Sequence, residues 1–176
     1  MQSGAAAPSK PSAVSGRRSA MAPVVLIGDV RVGPHSTIWF NCVLRGDINP
    51  ISVGARTNIQ DGTVVHVDHD KNPAIIGDDV TIGHAAIIPA CRLENHAFIG
   101  MGATVLDGAV VEEGGLLGAR GLLGPGKRIG RQQLWAGSPA RFVRDMSDEE
   151  RARWAVIGPR YAGLATRYHE TFRPID

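Results

Sequence analysis

Residues 98–111 read Phe98-Ile99-Gly100-Met101-Gly102-Ala103-Thr104-Val105-Leu106-Asp107-Gly108-Ala109-Val110-Val111, and Ile99, Val105 and Val111 stand six residues apart. Toward the C-terminus the same step reaches Leu117, Leu123 and Ile129. Toward the N-terminus it reaches Leu93, then Ile88, Ile82 and Ile76, then Val65, Ile59 and Val53, then Leu44, Ile38, Val32 and Leu26, with three short irregularities between these groups. A helix repeats every 3.6 residues and a strand every 2. A sustained period of six instead predicts a coil of short strands, each stacking on its equivalent in the next turn.

The other hexad positions say how such a coil turns. Gly often follows the aliphatic, as in Gly33, Gly54, Gly77, Gly83, Gly100, Gly118 and Gly124. The fifth position is usually small or β-branched, as in Val30, Ser36, Cys42, Thr57, Thr63, Val80, Ala86, Ala97, Ala103 and Ala109. This suits a strand of two or three residues and a tight corner at which Gly, Asn or Asp tolerates positive φ. Three hexads make one triangular turn of about eighteen residues, with turns about 4.8 Å apart.

The pattern resembles the hexapeptide-repeat proteins, which implies a left-handed parallel β-helix over residues 20–140. The hand comes from that resemblance, since ordinary crossovers are right-handed. Such proteins close into threefold trimers, which implies functional sites between subunits.

Composition fits one soluble domain. The chain has 176 residues, a net charge of +2, 43% hydrophobic residues and 5% aromatics. A nearly neutral balance favours neither nucleic acid nor an anionic membrane as partner, and no apolar run is long enough to span a bilayer. Cys42 falls at an inward hexad position and Cys91 elsewhere, which predicts two reduced thiols rather than a disulfide.

Residues 1–19 carry Ser, Ala, Pro, Lys10, Arg17 and Arg18 without an acid, a composition that predicts a disordered tail. An over-long start before Met21 gives a cytoplasmic protein; a transit peptide gives a mitochondrial matrix protein. Residues 141–176 form the C-terminal helical segment. Trp135-Ala136-Gly137-Ser138-Pro139-Ala140 is a turn-rich exit from the coil, and Ser147 with Glu150 forms a capping box. Trp154, Ile157, Tyr161, Leu164 and Tyr168 recur at helical spacing, with a kink or split required at Gly158-Pro159. One apolar stripe predicts a helix packed along a coil face.

Six histidines carry the chemical signal. His35 and His169 stand alone, whereas His66, His69, His84 and His96 lie on successive turns. A catalytic zinc takes three protein ligands and leaves one position open for water. By hexad counting, His66 and position 89 share a column one turn apart, while His84 sits on a different face and His96 points to solvent.

Several stretches together resemble the gamma-class carbonic anhydrases: Val43-Leu44-Arg45-Gly46-Asp47, Asn58-Ile59-Gln60-Asp61-Gly62, Val65-His66-Val67, Ile82-Gly83-His84, residues 98–108 as quoted, and Leu134-Trp135-Ala136-Gly137-Ser138-Pro139-Ala140. The resemblance covers about residues 20–170. It implies a homotrimer with a zinc or iron site at each subunit interface, two histidines coming from one chain and one from its neighbour. His66 and His84 match two metal ligands. The third falls where this chain has Pro89, which offers neither a side-chain donor atom nor an N–H. His69 and Cys91 are the nearby substitutes, and neither lies at the vacant hexad position.

The same resemblance implies that Gln60 orients hydroxide or carbon dioxide and that Arg45, Asp47 and Asp61 form an interface set. In that set Arg45 pairs a carboxylate across the boundary and can meet bicarbonate. Tyr161 matches an aromatic brought over the site by the terminal helix. Three function classes follow: metal-dependent hydration of carbon dioxide to bicarbonate at an incomplete site, a non-catalytic trimeric scaffold, or a hexapeptide-repeat acyltransferase.

Overall fold

The computed structural model describes residues 19–20, 23–68 and 73–171. Its core is the left-handed coil. The first face stacks Ser19–Ala20, Thr37–Ile38, Asn58–Ile59, Thr81–Ile82, Phe98–Ile99, Leu116–Leu117 and Gln133–Gly137, all parallel. Two long strands, Val25–Val32 and Val43–Val53, run round a corner and so open both remaining faces. The second face continues with Val64–His66, Ile87–Ile88, Thr104–Val105 and Leu122–Leu123. Ala74–Ile76, Arg92–Leu93, Val110–Val111 and Arg128–Ile129 continue the third. Of the tail over residues 1–19, only Ser19 falls among the described residues; His69 lies outside them.

The hexad aliphatics fill the prism. Leu44, Val65, Ile88, Val105 and Leu123 stack behind the second face, and each is at most 1% exposed. Equivalent columns stand behind the other two faces, and Leu26 packs on the end of the core. Fifth-position hydroxyls are buried but satisfied: Ser36 donates to the Gly54 carbonyl at 2.7 Å and Thr57 to that of Gly77 at 2.7 Å. Each therefore bridges to the next turn and leaves no unpaired polar atom in an apolar interior.

Two sequence expectations change here. Cys91 was placed away from the inward positions, yet it is 3% exposed and belongs to the core. The irregular hexad before Leu93 puts Cys91 two residues ahead of that aliphatic, the same place Cys42 holds ahead of Leu44. Five of the glycines after the aliphatics, Gly33, Gly54, Gly77, Gly83 and Gly100, have a different cause from the one expected. A Cβ on Gly54 would stand 2.5 Å from the Gly77 carbonyl carbon and one on Gly83 would stand 2.6 Å from the Met101 nitrogen, so close backbone stacking excludes a side chain. Positive φ falls instead at the corners, and His35, Arg56, Asp79, Ala85 and His96 adopt it as well as glycines. A left-handed corner costs a non-glycine residue about 1–2 kcal/mol. Hydrogen bonds between turns offset that cost: Arg56 donates to the Pro34 carbonyl at 3.0 Å, Asp79 to Ala55 at 2.9 Å and His96 to Asp78 at 2.9 Å.

The chain leaves the coil through an antiparallel hairpin of Gln133–Gly137 with Ala140–Asp145, whose turn holds a cis Ser138–Pro139 bond. Helix α1, Asp148–Ala155, starts at the expected capping box: the Ser147 hydroxyl accepts from the Glu150 N–H at 3.3 Å and Glu150 accepts from the Ser147 N–H at 3.1 Å. Helix α2 spans Ile157–Thr171. The split falls at Val156, ahead of Gly158-Pro159, because this puts Pro159 in the first turn of α2, where its missing N–H has no partner to lose. Helix α2 lies on the first face, with Ala165 1% exposed and Tyr161, Leu164 and Tyr168 packed round Trp39 and Phe40. Trp39 meets Tyr161 edge-on at 5.1 Å and Tyr168 at 5.8 Å, and its indole donates to the Thr37 hydroxyl.

Gly54→Ala is expected to destabilise the protein by about 2–4 kcal/mol, whereas Gly124→Ala, whose Cβ would meet only the Lys127 side chain at 3.7 Å, should change stability by under about 0.5 kcal/mol; urea unfolding followed by far-ultraviolet circular dichroism checks the pair. Burial pushes the Cys42 thiol up to about 11 and the Cys91 thiol up to about 12. At pH 8 about one thiol in a thousand or fewer is then thiolate. A disulfide reagent should leave both unlabelled in the folded chain and modify both in guanidinium; rapid labelling of Cys91 in native protein would contradict the inward placement.

Candidate functional site

Two small groups of side chains form, one where the second-face strands end and one at the corner that follows the first-face strands. The first is built on paired strands of the second face, where Arg45 and His66 are direct register partners. His66 Nδ1 lies 2.9 Å from the Arg45 carbonyl oxygen and Nε2 lies 2.7 Å from the Arg45 guanidinium. A carbonyl only accepts and a guanidinium only donates. Nδ1 therefore carries the proton and Nε2 offers its lone pair to Arg45. Asp47 receives the other side of the guanidinium at 2.6 Å, and that hydrogen bond holds its carboxyl below the usual carboxylate range.

The second group gathers on turns of the first face. His84 Nδ1 lies 2.9 Å from Asp61 Oδ2, and its Nε2 lies 2.9 Å from the Tyr161 hydroxyl. The Gln60 side-chain Oε1 accepts the backbone N–H of His84 at 3.2 Å, which leaves the side-chain NH2 as the group it can offer a ligand. Burial, and then the Asp61 charge, raise the Tyr161 phenol above its ordinary value, so it stays a neutral O–H donor. In neutral His84 the proton sits on Nδ1 facing the carboxylate, and Tyr161 donates to Nε2. An apolar cavity of about 500 Å³ adjoins this group, lined by Gln60, His84 and Tyr161 together with Met101, Phe98 and Trp154.

One residue beyond the Val65–Ile88 register pair, His66 and Pro89 occupy equivalent positions on adjacent turns. The single chain thus brings Arg45, Asp47 and His66 together, and separately Gln60, Asp61, His84 and Tyr161. Among the described residues no cluster of three His, Cys, Asp or Glu side chains is placed to hold a metal. Cys91 points into the core and cannot turn outward to replace Pro89. His96 is exposed beside Arg56 and Asp79, on another corner.

Trp39 and Phe40, absent from the sequence reading, form the wall that positions Tyr161. Their signal was an aromatic pair following the inward Ile38, outward-facing residues that a solvent-exposed coil face does not need. The direct contact of Arg45 with His66 also went unread, although the two lie one turn apart.

No family model matches this chain. Curated relatives do. The chain is 46% identical over 157 residues to gamma carbonic anhydrase 1, mitochondrial, of Arabidopsis thaliana, covering 86% of this chain and 57% of that protein. It spans little more than half the length of such plant relatives. It is 42% identical over 127 residues to a carbonic anhydrase of Geobacillus kaustophilus, covering 72% of this chain and 69% of that one. A hexapeptide transferase family protein of Anaplasma phagocytophilum has the same fold, with a TM-score of 0.80, 44% identity, and 88% and 92% of the two chains covered. With such identity across two thirds or more of a named relative, on a hexapeptide coil that carries His66, His84 and Gln60 as described, the chain belongs to the gamma carbonic anhydrase family.

Proposed function

We propose that the chain forms a homotrimer through its second face, that each interface sets His66 of one subunit against His84 of the next, and that this site is a scaffold remnant without a working metal centre. Pro89 in the column of His66 is the observation that carries this reading. The trimer is supported by the apolar surface of the second face, where Val25, Ile27, Val64 and Ile87 are all 40–50% exposed. A contiguous apolar face on a β-coil calls for a partner.

The family implies zinc or iron at this position. A hydroxide-generating site needs three protein ligands. Here the paired subunits offer two imidazoles, and the chain's own donors, Arg45 and Tyr161, already hold both Nε2 atoms. The residues do not fit a catalytic metal. What remains across the proposed interface is the Arg45 guanidinium of one subunit and the Gln60 amide of the next, donors for bicarbonate or carbon dioxide, with Asp61 fixing His84 and Asp47 fixing Arg45.

A second reading, metal-dependent hydration of carbon dioxide, is favoured by one observation. The Asp61–His84 pair is the carboxylate–imidazole arrangement that supports metal-bound histidines. An acyltransferase role has no support from the described residues. For location, the word mitochondrial in the name of the plant relative and the acid-free, Arg- and Ser-containing residues 1–19 support the matrix over the cytoplasm. Import of the full chain into isolated mitochondria with shortening is the expected result; a full-length chain left outside would count against it.

Zinc titration by calorimetry separates the two functional readings. The native trimer should bind zinc weakly, and Pro89→His should tighten binding at least about 100-fold, since even supporting residues of a metal site are worth 10–100-fold. Affinity in the variant should fall as pH drops below about 6.5, where imidazoles protonate. Tight binding of one zinc per chain by the native protein would overturn the scaffold reading. Ile87→Glu should yield monomers in sedimentation velocity, and an intact trimer would refute the second face as the interface.

A further inference from the structure

Helix α1 buries none of its residues, unlike a helix packed through an apolar stripe. Ala152, Ala155 and Gly158 put little bulk toward the coil, and they roof a cavity of about 380 Å³ against the first face. Its floor is the column Thr81, Phe98 and Leu116, register partners on three successive turns. Trp154 reaches down to Phe98, with ring centroids 4.8 Å apart. That ring pair lines both this space and the cavity beside His84, and so stands between them.

Two donors in the lining have no partner among the described residues. Thr81 is 4% exposed, and its unpaired hydroxyl lies 3.9 Å from where a Cβ on Gly158 would stand. Nε of Arg151 is buried and unpaired, which costs free energy until something accepts from it. Other charges in the lining are already matched: Arg56 holds both Asp79 oxygens, at 2.8 and 2.6 Å, and Arg131 holds Glu113 at 2.8 Å. Arg151 also meets Asp148, whose side chain is 92% exposed, a solvated pair of little strength. One guanidinium edge therefore faces inward with a donor to give.

We infer that this space binds a small aromatic monocarboxylate with a hydroxyl or carbonyl at its far end. The carboxylate accepts from Arg151 Nε, the ring lies on Phe98, Trp154 and Leu116, and the far oxygen meets the Thr81 hydroxyl. Gly158 faces Thr81 and Trp154 faces Phe98, so Arg151, about one helical turn earlier, falls toward Leu116, two coil turns or about 10 Å from Thr81. A mostly apolar pocket with a few placed donors is the usual form of a small-molecule site. A phosphate dianion would call for more unmatched cations than this lining has.

The probe is 3-(4-hydroxyphenyl)propanoate, titrated by calorimetry into the full-length native protein and its variants. Native protein should bind it with Kd below about 1 mM. Arg151→Met keeps an apolar stem and should weaken binding at least about tenfold, the worth of a hydrogen bond to a charged group. Thr81→Val should weaken it roughly two- to tenfold yet leave unchanged the affinity for 3-phenylpropanoate, which lacks the far oxygen. Ala152→Leu fills the space and should abolish binding while keeping the native circular dichroism. Absence of binding to native protein at about 10 mM probe overturns the inference, as does undiminished affinity in Arg151→Met or in folded Ala152→Leu. Equal losses for the two probes in Thr81→Val would overturn the placement of the far oxygen.

Discussion

One aliphatic side chain driven into the prism at each strand sets everything else in this protein. Because Leu44, Val65, Ile88, Val105 and Leu123 must stack on one another, the register between turns has no freedom, and each outward column is fixed with it. A slip of one residue would turn buried side chains to solvent and outward ones into the core. The same rigidity brings backbones so close that Gly54 and Gly83 have no room for a Cβ. Stability and site geometry thus share a single cause.

The same constraint fixes what surrounds Pro89. Its neighbours Ile88, Ala90 and Cys91 are all buried at 3% exposure or less, and none can be rotated outward without unstacking the coil. Burial also keeps Cys91 a protonated thiol, a poor ligand even if it could reach. What the chain has kept is a pair of imidazoles in the same tautomer, each with Nδ1 tied to an oxygen of its own chain and Nε2 tied to a donor. Arg45 and Tyr161 supply the hydrogen bonds to the two lone pairs.

Much of the fold was legible because a hexad is a long-range fact written locally. The inward residues from Leu26 to Ile129, the buried fifth positions and the Ser147 capping box all follow from short spacings. Legibility failed where the cause lay between turns. Gly33, Gly54, Gly77, Gly83 and Gly100 answer to a neighbouring backbone rather than to their own φ, and Cys91 was misplaced because the hexad around it is one residue short. Trp39 and Phe40 made sense only once α2 covered them. Spacing indicated that His66 and position 89 share a column. The meeting of His84 with Tyr161 joins a coil corner to a terminal helix, and no periodicity links them; only the resemblance to the gamma carbonic anhydrases suggested it.

The central claim is the proposal that this member of the family assembles without a metal centre. Metal analysis of the native protein, purified anaerobically without added metal, tests it most directly. The account predicts zinc plus iron far below one atom per chain. One atom per chain, retained through gel filtration, would contradict it and show that a residue other than position 89 completes the site.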